Sequence, residues 1–154
     1  MAAINPVVQK EKTVKRTYTH AVGRRREAVA RVRLHKGAMT WDGADVKVGQ
    51  VFVNHMPFEE YFKSLSGKTA YEDLLRSTNT ATKYSFTVKV LGGGKAGQLR
   101  AVIHGVARSL VEHDSGHRPI LKKKGLLTRD SRVRQRRKVG MGGKSRRKKQ
   151  SPKR

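Results

Sequence analysis

Apolar residues recur along this chain in two rhythms. Between 25 and 34 the period is two: Ala28, Ala30, Val32 and Leu34 share one side, while Arg25, Glu27, Arg31 and Arg33 share the other, with Val29 among them. That alternation predicts a half-buried strand with a basic outer face. Met39 to Trp41, Asp42-Gly43 and Val46 to Val48 predict a hairpin, because Asp-Gly favours a tight turn. Val51 to Val53 continues the strand pattern, with a bulge expected at Gly49-Gln50. Pro57 opens a short helix with Phe58, Tyr61, Phe62 and Leu65 on one side, and a second short helix holds Tyr71, Leu74 and Leu75. Tyr84, Phe86, Val88 and Val90 then alternate with Ser85, Thr87 and Lys89 in the clearest strand. After Gly92-Gly93-Gly94 the rhythm becomes helical from about Ala96 to Glu112. Leu99, Val102, Ile103, Val106 and Leu110 form its apolar stripe, and Arg100, His104 and Arg108 form a basic stripe expected on the far side. With no internal repeat, the pattern predicts an α+β domain, a mixed β-sheet with helices packed on it.

Charge changes the picture most. The 154 residues carry 36 Lys+Arg against 11 Asp+Glu, a formal net charge of +25. Such a chain repels itself, so a polyanionic partner is expected. The excess is uneven: residues 118–154 contain 17 Lys+Arg and one acid, Asp130. From Arg129 onward the large aliphatic residues are Val133, Val139 and Met141 alone, too few to offset the entropy of ordering the segment. The expected organisation is a flexible N-terminal extension over 1–17, a globular α+β domain over 18–117, and a basic C-terminal segment with a long extended tail over 118–154. A membrane partner is not expected: no apolar run is long enough to span a bilayer, and no amphipathic helix dominates. The sequence lacks cysteine, which suits a reducing compartment. Residues 1–12 lack the apolar stretch of a secretory signal, and the first 15 lack the arginines of an organellar transit peptide.

Catalytic and cofactor signals are weak beside this charge. Gly92-Gly93-Gly94-Lys95-Ala96-Gly97 satisfies G-x-G-x-x-G between a strand and a helix, but a dinucleotide site needs a parallel βαβ unit with an acidic residue ending the next strand. Here a basic segment follows. The glycines read instead as a tight turn needing positive φ, and their amides, with Lys95, suit a phosphate. His113 and His117 lie in a loop rather than at metal-ligand spacing, and Glu59-Glu60 reads as the first turn of a helix. No nucleophile–base arrangement emerges, so no enzyme activity, cofactor or metal is expected. The basic residues carry the signal. Arg24, Arg25 and Arg26 open the first strand and Arg31 and Arg33 follow on its outer face; Arg100 and Arg108 lie on the long helix. Lys122, Lys123 and Lys124 form a run, and Arg129, Arg132, Arg134, Arg136, Arg137 and Lys138 begin the tail. Lys144, Arg146, Arg147, Lys148 and Lys149 continue it to Lys153 and Arg154. Arginine forks onto phosphates and stacks on bases, so these are candidate RNA contacts. An architectural DNA-binding protein is the competing reading; the tail has no apolar wedge for a minor groove.

Five segments occur in an order that resembles a known family. They are 23–32 (Gly23-Arg24-Arg25-Arg26-Glu27-Ala28-Val29-Ala30-Arg31-Val32), Val53-Asn54 with Tyr61-Phe62, Gly92 to Gln98, His104-Gly105-Val106-Ala107-Arg108, and Lys124 to Arg132. The chain resembles the S-nine family of small-subunit ribosomal proteins in its bacterial or organellar form, from about Tyr18 to Arg154. The resemblance implies an α+β domain like the second domain of ribosomal protein S-five, and binding to rRNA of the small-subunit head beside neighbouring head proteins. It also implies a tail that reaches the peptidyl-site tRNA, which Lys153 and Arg154 would touch, and a place on the cytoplasmic ribosome. This sequence departs from the family pattern at Gln135, at Gln150-Ser151, at Pro152 and at His55, which stands where the family has Gly.

Overall fold

The computed structural model describes residues 17–63 and 65–136. Strand β1 (Thr19–Arg25) turns directly into β2 (Ala28–His35), and the two pair antiparallel from Thr19↔Leu34 to Arg25↔Ala28. The alternating segment is therefore not one strand from Arg25. The chain reverses at Arg26, whose φ is 53°, and Gly23 to Arg25 belong to an edge strand that periodicity did not reveal. The reason is visible in its inward positions, which hold Ala21, Gly23 and Arg25 rather than large apolar side chains. Strand β2 follows the expected alternation, with Ala28, Ala30, Val32 and Leu34 buried and Arg31 and Arg33 exposed.

The small hairpin forms from β3 (Met39–Trp41) and β4 (Ala44–Val46). Asp42 and Gly43 have φ of 48° and 84°, the two positive values that a type I′ turn requires. Strand β5 (Val51–Val53) does not extend this hairpin. It enters the main sheet, so the expected bulge at Gly49-Gln50 is a crossing between sheets, fixed by the Gly49 amide donating to the Tyr84 carbonyl at 3.0 Å. Strand β6 (Met56–Pro57) leads into α1 (Phe58–Tyr61), and α2 (Leu65–Thr78) is longer than the short helix expected there. Strand β7 (Ser85–Leu91) completes a five-stranded sheet in the order β1-β2-β7-β5-β6. Its pairing with β2 is antiparallel and with β5 parallel, so the sheet is mixed and the fold α+β.

Helix α3 (Lys95–His113) lies across β1 and β2 and buries Val102, Val106 and Leu110 completely. Removing such a side chain from water contributes about 1.5–3 kcal/mol. Two glycines set how close it comes. A Cβ on Gly23 would overlap the Ala101 carbonyl oxygen, and one on Gly105 would meet Val32 Cγ2 at 2.6 Å. Backbone thus packs on backbone where the edge strand has little apolar surface to offer. A 3-10 turn (Ser115–His117) and helix α4 (Arg118–Lys123) follow, and Leu121 of α4 is fully buried in the same core, beyond residue 117.

Of the polar positions of β7, Lys89 is exposed as the alternation implies, but Ser85 and Thr87 are buried. Ser85 Oγ donates to the Gly37 carbonyl at 2.5 Å, and Thr87 Oγ1 meets His35 Nε2 at 3.3 Å, all beneath the start of the hairpin excursion. Burial, and then the charge of Arg33, push the His35 pKa down, so the ring stays neutral there.

The close approach gives a test with an unusual sign. On an exposed helix Gly→Ala stabilises by about 1 kcal/mol. Gly105→Ala is expected to destabilise this protein by roughly 1–3 kcal/mol through overpacking, read as a lower urea midpoint with an unchanged slope.

Candidate nucleic-acid interface

The β1–β2–β7 register assembles one basic surface on the sheet face away from α3. Arg31 lies directly opposite Lys89, and Arg33 lies between His20 and Thr87 in the next row. Arg24, Arg31, Arg33 and Lys89 are exposed. Like charges facing each other across a ladder are destabilising, and among the described residues no carboxylate pairs with Arg31 or Lys89. Lys89 was not a candidate from the sequence. Its position in the β7 alternation put it on the polar side, but its partner is fixed only by the register. The Arg33 guanidinium sits 5.0 Å from the Tyr18 ring centre, a cation–π contact that leaves its fork free for anions.

A second basic surface forms where α3, the β1–β2 turn and the C-terminal segment meet. Arg26, Arg100 and Arg132 border one recess with Ala96 and Gly97 of the first turn of α3. The expected basic stripe on this helix is not on a remote face, because β1 runs alongside it. Arg108 remains exposed but donates to the Val22 carbonyl at 2.6 Å. His104 Nδ1 accepts the Arg24 amide at 3.4 Å, and burial holds its pKa down, with Arg108 and Arg129 adding to the effect against a hydrogen bond to the Leu127 backbone. His104 is thus a neutral acceptor, not a third cation.

The glycine turn resolves residue by residue. Gly92 and Gly93 have φ of 72° and 63°, and a Cβ on Gly92 would meet the Glu27 carbonyl at 2.5 Å. Gly94 caps α3 at φ −101° with open space around it, so it needs no glycine conformation. Gln98 closes the turn, donating to the Gly92 carbonyl at 3.0 Å and accepting from Tyr61 Oη at 2.9 Å. Lys95 lies over the Tyr61 ring, Nζ 3.2 Å from its centre. Helix α3 leads into α4 rather than into a strand, so the turn is not part of a βαβ unit.

Lys122 and Lys123 end α4, Lys124 caps it, and all three are exposed, as are Arg129, Arg134 and Arg136. Arg25 stands apart from the other arginines. It is buried, and its Nη1 lies 2.7 Å from Asp130 Oδ1. Arg132 grips the same carboxylate through Nε at 3.1 Å and Nη2 at 2.7 Å, and its amide donates to Asp130 Oδ1 at 3.0 Å. The hydrogen bonds from Arg132 and the charges of Arg132 and Arg25 hold the Asp130 carboxyl far below the usual carboxylate range. The root of the basic segment is therefore fastened to the end of β1 by charge and hydrogen bonds rather than by apolar burial. Arg137, Lys138, Lys144, Arg146, Arg147, Lys148, Lys149, Lys153 and Arg154 lie outside the described residues.

A sequence profile for ribosomal protein S9/S16 matches residues 23–154. The chain is 41% identical over 126 residues to the small ribosomal subunit protein uS9 of Maridesulfovibrio salexigens, covering 82% of this chain and 89% of that one. The uS9 proteins of Solidesulfovibrio magneticus (41% identity) and Dehalococcoides mccartyi (40%) match over the same shares of each chain. The chain belongs to the uS9 family. As a uS9-family protein it is a structural constituent of the small ribosomal subunit and not an enzyme. Several residues of the uS9 resemblance now have structural roles. Gly23 and Gly105 set the helix–strand distance, Asn54 Nδ2 and Oδ1 both bond the β7 backbone at Val90, and Asp130 ties down the basic segment.

The Asp130 clamp predicts a pH response. A carboxyl whose folded pKa is depressed contributes stability above its unfolded pKa, near 3.8 here, and loses that contribution as pH falls through the folded value. Exchange of the Arg132 amide is therefore expected to stay slow, relative to its intrinsic rate, from pH 8 to 5 and to become free only well into acid. Asp130→Asn should free it at neutral pH; equal protection in both proteins would refute the clamp.

Proposed function

We propose that this chain binds the rRNA of the small-subunit head through both basic surfaces and extends its C-terminal tail toward the peptidyl-site tRNA. The observation that carries the reading is charge without compensation: cations opposed across strands, and one acid among 37 residues at the C-terminal end, already committed to two arginines. Only a polyanion neutralises such a surface, and membership of a small-subunit family supports RNA as that polyanion. Arg24, Arg31, Arg33 and Lys89 serve the sheet surface. Arg26, Arg100, Arg108 and Lys95 serve the helix surface, and Lys122 to Lys124, Arg129, Arg132, Arg134 and Arg136 lead away from it. Arg25 acts from inside, through Asp130 and Arg132. Arg137, Lys138, Lys144 and Arg146 to Lys149 then continue along rRNA. Neighbouring head proteins complete the surroundings, on the cytoplasmic ribosome.

Beyond the Asp130–Arg132 clamp 22 residues follow to Arg154, and if fully extended they would reach roughly 70 Å at about 3.3 Å per residue, far enough to deliver Lys153 and Arg154 to a ligand remote from the domain. A terminal guanidinium fork with an ammonium beside it suits a tRNA phosphate.

Two measurements test this reading. Counterion release makes log affinity for rRNA fragments fall with log salt by about 0.7–0.9 per phosphate neutralised, so a slope of several units is expected, and Arg31→Gln with Lys89→Gln should each reduce it by about one. A salt-insensitive affinity would sink the proposal. Removing Lys153 and Arg154 is expected to leave subunit assembly intact and to speed tRNA dissociation from the peptidyl site. Identical dissociation rates across several salt concentrations would remove the tRNA contact.

A further inference from the structure

The β3–β4 hairpin folds back over the basic sheet face. Trp41 at its tip lines a recess of about 340 Å³ with Arg31, Arg33 and Lys89 on its floor, His20, His55 and Thr87 around them, and one carboxylate, Asp42, beside His55. That volume lies at the low end of small-ligand clefts. The indole is stacked on the His55 ring, with centres 4.5 Å apart and planes 27° apart. Neither ring belongs to the hydrophobic core or to the apolar residues packed against it; Val46 is the residue that buries the hairpin.

His55 is held there at a cost. It occupies the second position of the β5–β6 turn at φ 68°, after Asn54 at 47°, a conformation that glycine adopts without penalty. Its Nδ1 lies 3.3 Å from Asp42 Oδ2, so turn and hairpin tip hold each other and present the indole beside three cations. A strained residue outside the core, supporting an aromatic ring over a basic floor, is a feature to be explained by what it binds.

We propose that this recess holds one unpaired nucleotide of an RNA strand, its phosphate on Arg31, Arg33 and Lys89 and its base against the Trp41–His55 stack. Indole stacking is tolerant of base identity, and the arginine forks match phosphate geometry. A base within a duplex is already stacked on its neighbours and cannot present its face here, which selects single strands, loops or bulges. An acidic protein segment would satisfy the cations but has no use for the aromatic platform. The inference rests on the RNA-binding reading above and adds to it a strand type and a site.

Trp41 is the single tryptophan of the chain, so its fluorescence reports on this recess alone. The full chain would be titrated with single-stranded RNA oligonucleotides, with duplex RNA of equal charge, and with polyglutamate. Single strands are expected to quench the emission, whereas duplex RNA binds through the remaining basic surface without quenching it. Trp41→Leu should lower the ratio of single-strand to duplex affinity about tenfold. Arg31→Gln, which leaves the ring stack in place, should weaken the single-strand quenching. Equal quenching by duplex and single strand, or an unchanged affinity ratio in Trp41→Leu, would overturn the proposal. Quenching by polyglutamate as strong as by RNA would assign the recess to an acidic protein segment instead. Binding of both RNAs with no quenching would sink the recess alone, and binding of neither would sink the RNA reading itself.

Discussion

The contact between Gly23 and the helix backbone at Ala101 and Gly105 is the constraint on which this molecule is built. An edge strand of sequence Thr-His-Ala-Val-Gly-Arg-Arg has little apolar surface with which to hold a 19-residue helix. Dispersion falls off steeply with separation, so the strand must be approached closely, and glycine on both elements permits that. The same approach brings Arg108 to the Val22 carbonyl and His104 to the Arg24 amide, completing backbone groups that an edge strand would leave open. Loosening it would misplace the arginines that β1 and α3 carry.

On that frame the chain separates two uses of polarity. Beneath the surface several polar groups are matched, Asn54 with Val90, Gln98 with Gly92 and Tyr61, His35 with Thr87, while the buried Tyr71 hydroxyl has no partner. Outside, cations far outnumber carboxylates, and the protein accepts repulsion such as Arg31 against Lys89 in exchange for a surface suited to phosphate. Asp130 joins the two regimes. Fixed by Arg25 and Arg132, it sets where the basic segment leaves the domain, on the same side as Arg26 and Arg100.

Elements with a strong periodicity of their own were legible in the sequence. Helix α3, strand β7 and the Asp42-Gly43 hairpin lie within a residue or two of the expected positions, whereas the helix after Pro57 ends at Tyr61 and Leu65 opens α2 instead. Strand β1 was not legible, because its inward side chains are a small residue, a glycine and a paired arginine. Helix α2 was foreshortened because Ser66-Gly67-Lys68-Thr69 weakens the helical signal that Tyr71, Leu74 and Leu75 carry. At the candidate interface, Arg31, Arg33 and Arg100 stand exposed as the patterns implied. Arg25 and His104 do not, since each answers to a partner distant in sequence that no local pattern could name. The role of His55 is another such case: its departure from the family pattern was visible, but its stacking on Trp41 required the fold.

The most direct test of the account is lysine modification of the chain within purified small ribosomal subunits, compared with the free protein. Lys89 lies on the sheet surface, and Lys122, Lys123 and Lys124 lie at the end of α4. The account predicts that all four react readily in the free chain and become protected in the subunit, and that mild ribonuclease treatment of the subunit restores their reactivity. Lysines as reactive in the subunit as in the free chain, or protection that persists after the RNA is digested, would contradict it.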